Sequence, residues 1–292
     1  MQQRDLIRQV RRLELVTRRK ASSRLAGEYH SVFKGRGMDF DEVQPYSPGD
    51  DVRFLDWNVS ARTGDLYIKK FVEERELTVL IAVDASASMR FGSRERTKAE
   101  IVAELTAILA FSAIRNNDRV GLVIFSDEVQ LYIPPKKGRK HIQRIIREIL
   151  VSNWEGRATN LNAALHFIAN VSRRKAVVFV LSDFVANDWE RSLKIAAKRH
   201  DVVPLILQDP LEAELPKVSA LLPLRDPEDG ELRYLDLSAA SHRKAWAARV
   251  EEARKTRETL FRRMRLDTID IDTSQPYIDR LIDFFRRRAA RH

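Results

Sequence analysis

Residues 77–89 read LTVLIAVDASASM, and the fold follows from how that stretch begins and ends. Leu77–Val83 is apolar except for Thr78 and rich in β-branched side chains, the composition of a strand buried on both faces of a parallel sheet. The apolar run stops at Asp84, and Ser86 and Ser88 follow at alternate positions. Downstream, the period of the apolar residues predicts a helix over about 97–116 and a second buried strand over 120–125. A short strand at 129–133 pairs with the second strand across the turn Ser126-Asp127-Glu128. Helices follow over about 138–151 and 160–171, then a third long buried strand at 176–181, a helix at about 188–199 and a strand at 202–207. Repeated strand–helix units of this kind give an α/β fold: a doubly wound, mainly parallel, Rossmann-like sheet covered by helices on both faces.

Further out the rhythm changes. Residues 210–237 contain Pro210, Pro216, Pro223, Pro227 and Gly230, which predicts a hairpin excursion. A long helix over about 239–264, a strand over 266–271 and a helix over 275–291 close the chain. The expected division is therefore a sheet domain at 76–292, with an insertion at about 210–265, preceded by an extension at 1–75. Residues 1–26 read as a basic helix, with Leu6, Val10, Leu13 and Val16 at helical spacing. Residues 27–75 show no period and are rich in Gly, Asp, Pro and aromatics. That irregular stretch is expected to pack on the sheet domain through Trp57 and Phe40, with Asp50, Asp51, Arg53, Asp56 and Arg62 in an ion-pair network that includes an Asp56–Arg62 pair.

Composition narrows the function. The 292 residues contain no cysteine, which removes disulfides, thiolate metal sites and cysteine nucleophiles. No apolar run approaches the roughly 20 residues that span a bilayer. Arg4, Arg8, Arg11 and Arg12 interrupt any secretory hydrophobic region, so the cytoplasm is the expected compartment. The formal charge is +10, with basic residues gathered in residues 1–25 and at Arg286, Arg287, Arg288 and Arg291. Such ends are expected to be solvated helix surface, nucleic-acid binding being the alternative. There is no G-x-x-x-x-G-K-[ST] loop for nucleotide phosphates, no H-E-x-x-H pair and no G-x-S-x-G nucleophile elbow. Gly35-Arg36-Gly37 is read as a turn and His30 as an ordinary hydrogen-bonding residue.

What remains is the end of the first long strand. Asp84, Ser86 and Ser88 supply one carboxylate and two hydroxyls at the carboxyl edge of the sheet, where ligands of open α/β sheets bind. Asp183, directly after strand 176–181, reaches the same edge, and Thr159 lies in the loop Glu155-Gly156-Arg157-Ala158-Thr159-Asn160. Hard oxygen donors suit Mg²⁺ or Mn²⁺. The alternative is that Asp84 and Asp183 cap the helices that follow them.

The Asp-x-Ser-x-Ser loop, the Thr and the Asp, in that chain order, resemble the metal-ion-dependent adhesion site of von Willebrand factor A-type domains. The resemblance implies that Asp84, Ser86, Ser88, Thr159 and Asp183 hold one divalent cation, Asp183 through water. It also implies that the first and fourth strands lie side by side. Arg157-Ala158 stands where related loops often carry Gly, which would narrow access to the ion. Before the sheet, the blocks Gly35-x-Gly37-Met38-Asp39-Phe40, Tyr46-Ser47-Pro48-Gly49-Asp50-Asp51-Val52-Arg53 and Asp56-Trp57-Asn58-x-Ser60-Ala61-Arg62 resemble the signature of bacterial domain-of-unknown-function family 58. Members of that family carry this signature ahead of a von Willebrand A-type domain and are commonly encoded beside MoxR-type AAA+ ATPases. The resemblance thus implies a non-enzymatic, Mg²⁺-dependent protein-interaction module. Its implied partners are a MoxR-type ATPase and a client protein offering an Asp or Glu to the metal. A metal-dependent phosphohydrolase using Asp84 and Asp183 is the enzymatic alternative, disfavoured by the lack of an accompanying base or phosphate loop.

Overall fold

A computed structural model describes residues 28–29, 32, 38–73, 76–152, 156, 158–225 and 232–291. The basic helix expected at 1–26, His30, the Gly35-Arg36-Gly37 turn and Arg157 lie outside the described residues. The chain forms two compact units, Phe33–Glu76 and the remainder, so the sheet unit also takes in Tyr29 and Val32 ahead of the expected boundary.

The sheet unit is built around six strands: β3 (Thr78–Asp84), β4 (Arg119–Phe125), β5 (Val129–Lys136), β6 (Val177–Ser182), β7 (Asp201–Gln208) and β10 (Ile269–Asp272), in spatial order β10-β7-β6-β3-β4-β5. All neighbours are parallel except β4 and β5, which pair antiparallel through the expected tight connection. β3 sits between β4 and β6, with Val83 opposite Leu181, so the first and fourth strands of this sheet are neighbours. The apolar runs are buried from end to end because helices cover both faces.

On one face Leu80, Ala82, Val178 and Val180 share a core with the helices at Leu161–Val171 and Glu190–Arg199. The alternate residues Val79, Ile81 and Val83 point the other way, toward the side of the helices at Lys98–Arg115 and Arg139–Val151, which pack on each other. The Lys98–Arg115 helix starts with a capping box: Glu100 N donates to Thr97 Oγ1 (3.2 Å) and Thr97 N to Glu100 Oε2 (2.9 Å). Between β7 and β10 the excursion comprises a short turn of helix at Pro210–Ala213, the hairpin β8 (Leu221–Arg225) and β9 (Leu232–Asp236), and the long helix Ala240–Arg263. A last helix runs over Ile278–Ala289. No helix among the described residues is long and apolar enough to cross a membrane.

The last helix meets the expectation of a solvated basic end at Arg287 and Arg291, which are exposed, and departs from it at Arg288, which is buried and pairs with Asp201. Arg291 pairs with Asp267 at 2.6 Å and Arg286 with Glu28 at 2.9 Å, both near the surface. Tyr29 is fully buried and meets the Phe285 ring edge-on at 5.6 Å.

The smaller unit is more regular than its sequence indicates. β1 (Met38–Pro45) and β2 (Tyr67–Glu73) pair antiparallel, with a register shift between Phe40 and Glu42. Between them lies a helix at Trp57–Thr63 that Asp56 caps, its Oδ1 accepting from Asn58 N at 3.0 Å and Val59 N at 3.2 Å. Gly64 ends that helix at φ 84°, where a side chain would be strained. The Asp residues of the signature act locally: Asp51 pairs with Arg53 (2.6 Å), Asp50 accepts from Ser47 N (2.8 Å), and Asp56 meets Lys69 (3.6 Å) rather than Arg62. Trp57 is not a core anchor. It is 69% exposed at the first position of its helix.

Trp57→Ala should therefore change stability by less than about 0.5 kcal/mol, whereas Asp56→Ala removes the cap and should cost about 1 kcal/mol. Urea denaturation of the two variants beside the parent chain measures both, and a larger loss for Trp57→Ala would contradict the exposure.

Candidate metal centre

Parallel pairing of β3 with β6 brings two strand ends, and the loops that leave them, to one point at the carboxyl edge. Asp84 closes β3 and Ser182 closes β6, both fully buried, and Asp183 follows at 4% exposure. Asp84 keeps its two oxygens apart in role: Oδ1 accepts from Ser86 N (3.0 Å) and Oδ2 from the Ser182 hydroxyl (2.6 Å). The Ser86 and Ser88 hydroxyls lie 3.1 Å apart, and Ser88 donates to Asp183 Oδ2 at 2.9 Å. A 3₁₀ turn at Ala87–Arg90, anchored by the buried Met89, holds the two serines in this arrangement.

The third loop is docked from the side. Ser86 and Gly156 form an isolated parallel bridge, and Ala87 N donates to Gly156 O at 2.9 Å. A Cβ on Gly156 would lie 2.1 Å from Ser126 Cβ, so glycine is required for the approach. Three residues on, the Thr159 hydroxyl oxygen is buried and has no hydrogen-bond partner. Asn160 then fixes the loop from the other end, its N–H donating to Ser126 O at 2.7 Å and its side chain capping the Leu161–Val171 helix.

Three contributors were not foreseen from sequence. Ser182 holds both Asp84 and, as acceptor, Phe184 N at 3.0 Å. Lys98, the first residue of its helix, is fully buried, and its ammonium donates to Asp183 Oδ2 at 2.8 Å and to Glu212 Oε1 at 2.6 Å. Burial works against that charge, and the two carboxylates outweigh it, holding the Lys98 pKa above its ordinary value. Arg257, from the long inserted helix, donates to Asp183 O at 3.2 Å. Lys98 has no motif signal, because a lysine in the first turn of a helix ordinarily marks solvent.

The electrostatics follow from this packing. Burial, and then the neighbouring Asp183 charge, pushes the Asp84 carboxyl up to about 7. Among the described residues no group of three or more His, Asp or Glu side chains is gathered for a metal. The donor set is instead Asp84, Asp183 and the hydroxyls of Ser86, Ser88 and Thr159, all hard oxygens. A buried hydroxyl without a partner is costly, and an oxygen-seeking cation would satisfy Thr159 Oγ1. The residues fit a small divalent ion, and the Lys98 ammonium on Asp183 Oδ2 is the departure from a purely anionic cradle. Asp84 and Asp183 do not stand at helix N-cap positions: Ser86 precedes the 3₁₀ turn Ala87–Arg90, Thr97 caps the Lys98–Arg115 helix, and Trp189 precedes the Glu190–Arg199 helix.

Comparison with known proteins agrees on family and gives no activity. The family profile described as "Protein of unknown function DUF58" matches residues 42–256. The uncharacterized protein Rv1480 of Mycobacterium tuberculosis is 31% identical over 255 residues, 85% of this chain and 80% of its own. The uncharacterized protein YeaD of Bacillus subtilis is 26% identical over 173 residues, 59% of this chain and 40% of its own. Among solved structures, the conserved hypothetical protein BatB from Bacteroides thetaiotaomicron overlays with a TM-score of 0.49 at 18% identity, covering 73% of this chain and 99% of that one. The SpRpn10 VWA domain overlays with a TM-score of 0.39 at 14% identity, over 71% of this chain and 94% of that one.

Gly156→Ala must move the Ser86 loop and the Ser126 turn apart. It should destabilise the chain by about 1–3 kcal/mol, the usual scale of overpacking, and thermal unfolding will register the loss. An unchanged melting temperature would mean that the Thr159 loop is not docked as described.

Proposed function

We propose that this chain, which belongs to the DUF58 family, is a non-enzymatic protein-interaction module that binds its partner through a divalent metal ion, Mg²⁺ or Mn²⁺. Asp84, Ser86, Ser88, Thr159 and Asp183 would hold the ion. The observation that carries this reading is the buried Thr159 hydroxyl without a partner, on a loop bridged to Ser86 beside two carboxylates at a sheet edge. When bound, the ion supplies an electrophilic point that a partner's carboxylate can complete.

The protein's own part is positional. Ser182 and the Ser86 N–H orient Asp84; Ser88 orients Asp183; and Gly156 lets the Thr159 loop close on the serines. With Asp84 as the one direct carboxylate, Asp183 acting through water and the remaining donors neutral hydroxyls, a bound ion would keep positive charge for an incoming anion. The partner is a MoxR-type AAA+ ATPase or a client protein that offers an exposed Asp or Glu, and the role is assembly or activation of that client. Burial of Arg288 against Asp201 takes one of the C-terminal arginines out of any nucleic-acid surface.

Two measurements test the reading. Calorimetric titration with Mg²⁺ and Mn²⁺ should give binding to the parent chain and none to Asp84→Ala. Binding of a MoxR-type ATPase or a client should collapse in EDTA and return with added metal, and Thr159→Ala should weaken it by roughly 30-fold or more, the scale of losing one charge-assisted contact. Unchanged binding in chelator would sink the proposal.

A further inference from the structure

A lysine at the first position of a helix normally extends into water, yet the whole of Lys98 is inaccessible. An ammonium stripped of water persists only where anions replace its hydration, and here two do, Asp183 at 2.8 Å and Glu212 at 2.6 Å. Asp183 is already heavily engaged. Its Oδ1 accepts from Val185 N (3.1 Å), and its Oδ2 serves both the Ser88 hydroxyl (2.9 Å) and the Lys98 ammonium. Glu212 is equally fixed: its Oε2 accepts from Asp209 N at 3.0 Å in a capping box, while Oε1 faces Lys98. Asp209 in turn accepts from Ser93 N and from the Thr273 hydroxyl. The segment after β7 thus hands a second carboxylate to the same ammonium.

We infer that Lys98 is a resident cation that sets the affinity of the site for divalent metal, with Glu212 as the carboxylate that retains the ammonium when Asp183 turns to an ion. The inference rests on the metal-binding reading above and adds a determinant outside the ligand set. Lys98 and a metal ion would draw on one carboxylate, and two cations at such separation repel strongly in a medium poorer than water. Lys98 therefore keeps the buried carboxylate satisfied without metal and makes the ion displace a charge to enter. Glu212 has the opposite effect, because it draws the ammonium away from Asp183.

Titration calorimetry on the full chain, at fixed pH and ionic strength, separates these roles with Mg²⁺ and Mn²⁺ as probes. Lys98→Met keeps the length and apolar stem of the side chain and should bind either ion at least about tenfold more tightly. Lys98→Arg keeps the charge and should stay near the parent. Glu212→Gln should weaken binding several-fold by leaving the ammonium to Asp183 alone. As a second readout, Lys98→Met should melt lower than the parent in EDTA and gain more from added metal, since stabilisation by a ligand grows with the logarithm of its affinity. If Lys98→Met fails to fold without metal, the Glu212→Gln titration decides. Metal binding by the parent with no tightening in Lys98→Met, or no weakening in Glu212→Gln, overturns the inference and leaves the metal reading standing. Absence of binding to parent and variants alike removes both. Binding by Lys98→Met alone upholds Lys98 as the controlling charge and overturns the metal reading for the parent protein.

Discussion

Two carboxylates are forced together at a place with almost no water. β3 and β6 pair in parallel, so Asp84 and Asp183 emerge side by side where both strands are still covered by helices. Two negative charges in such a setting are unstable unless donors converge on them. The surrounding geometry answers that demand. Asp84 takes a backbone N–H and the Ser182 hydroxyl, and still its pKa is driven up to about 7 by burial and by Asp183. Asp183 takes Val185 N, the Ser88 hydroxyl and the Lys98 ammonium. The capping box that orients Glu212 and the glycine that lets the Thr159 loop approach are further consequences of building a polar cluster at this depth.

How much of this was readable in advance depended on whether the signal was local. The strands of the sheet were legible because a strand buried on both faces must be apolar throughout, and nothing else of that length is. The Asp-x-Ser-x-Ser run was legible because it follows such a strand, and the sheet order then brought Asp183 alongside. Lys98 and Glu212 were not legible: they lie 114 positions apart, and each is an ordinary surface residue type in an ordinary helix start. Ser182 was overlooked because it reads as the last residue of an apolar strand, although its hydroxyl reaches the next strand's carboxylate. Trp57 misled because a large aromatic is presumed buried, whereas this one is exposed at the first position of its helix. Among the C-terminal arginines only Arg288 was misread, since its partner Asp201 is distant in sequence.

The insertion between β7 and β10 is tied to this cluster at both of its ends. At its start, Glu212 holds Lys98, and the backbone carbonyl of Glu212 accepts from the Trp246 indole at 2.9 Å. Near its end, Arg257 donates to Asp183 O, and Phe261 packs edge-on against Phe184 at 5.5 Å. Phe184 itself has φ 57°, in the left-handed region. A bulky side chain takes that conformation only where its surroundings hold it. Trp189 and Phe261 do so from two sides, and Ser182 Oγ holds its N–H.

The chain of contacts is short. Asp183 is bonded directly to Phe184, and Phe184 packs edge-on against Phe261 of the long helix. That helix is buried mainly through Phe261, and the partly exposed Glu251, Arg254 and Glu258 pair with one another along it. Two contacts, Arg257 to the Asp183 carbonyl and Phe261 to the Phe184 ring, therefore link the long helix to the buried carboxylates. An ordinary sheet-edge loop followed directly by the next strand would make neither. The insertion thus runs from a buried polar cluster to a charged, partly exposed helix, and the geometry of the cluster depends on segments far apart in sequence.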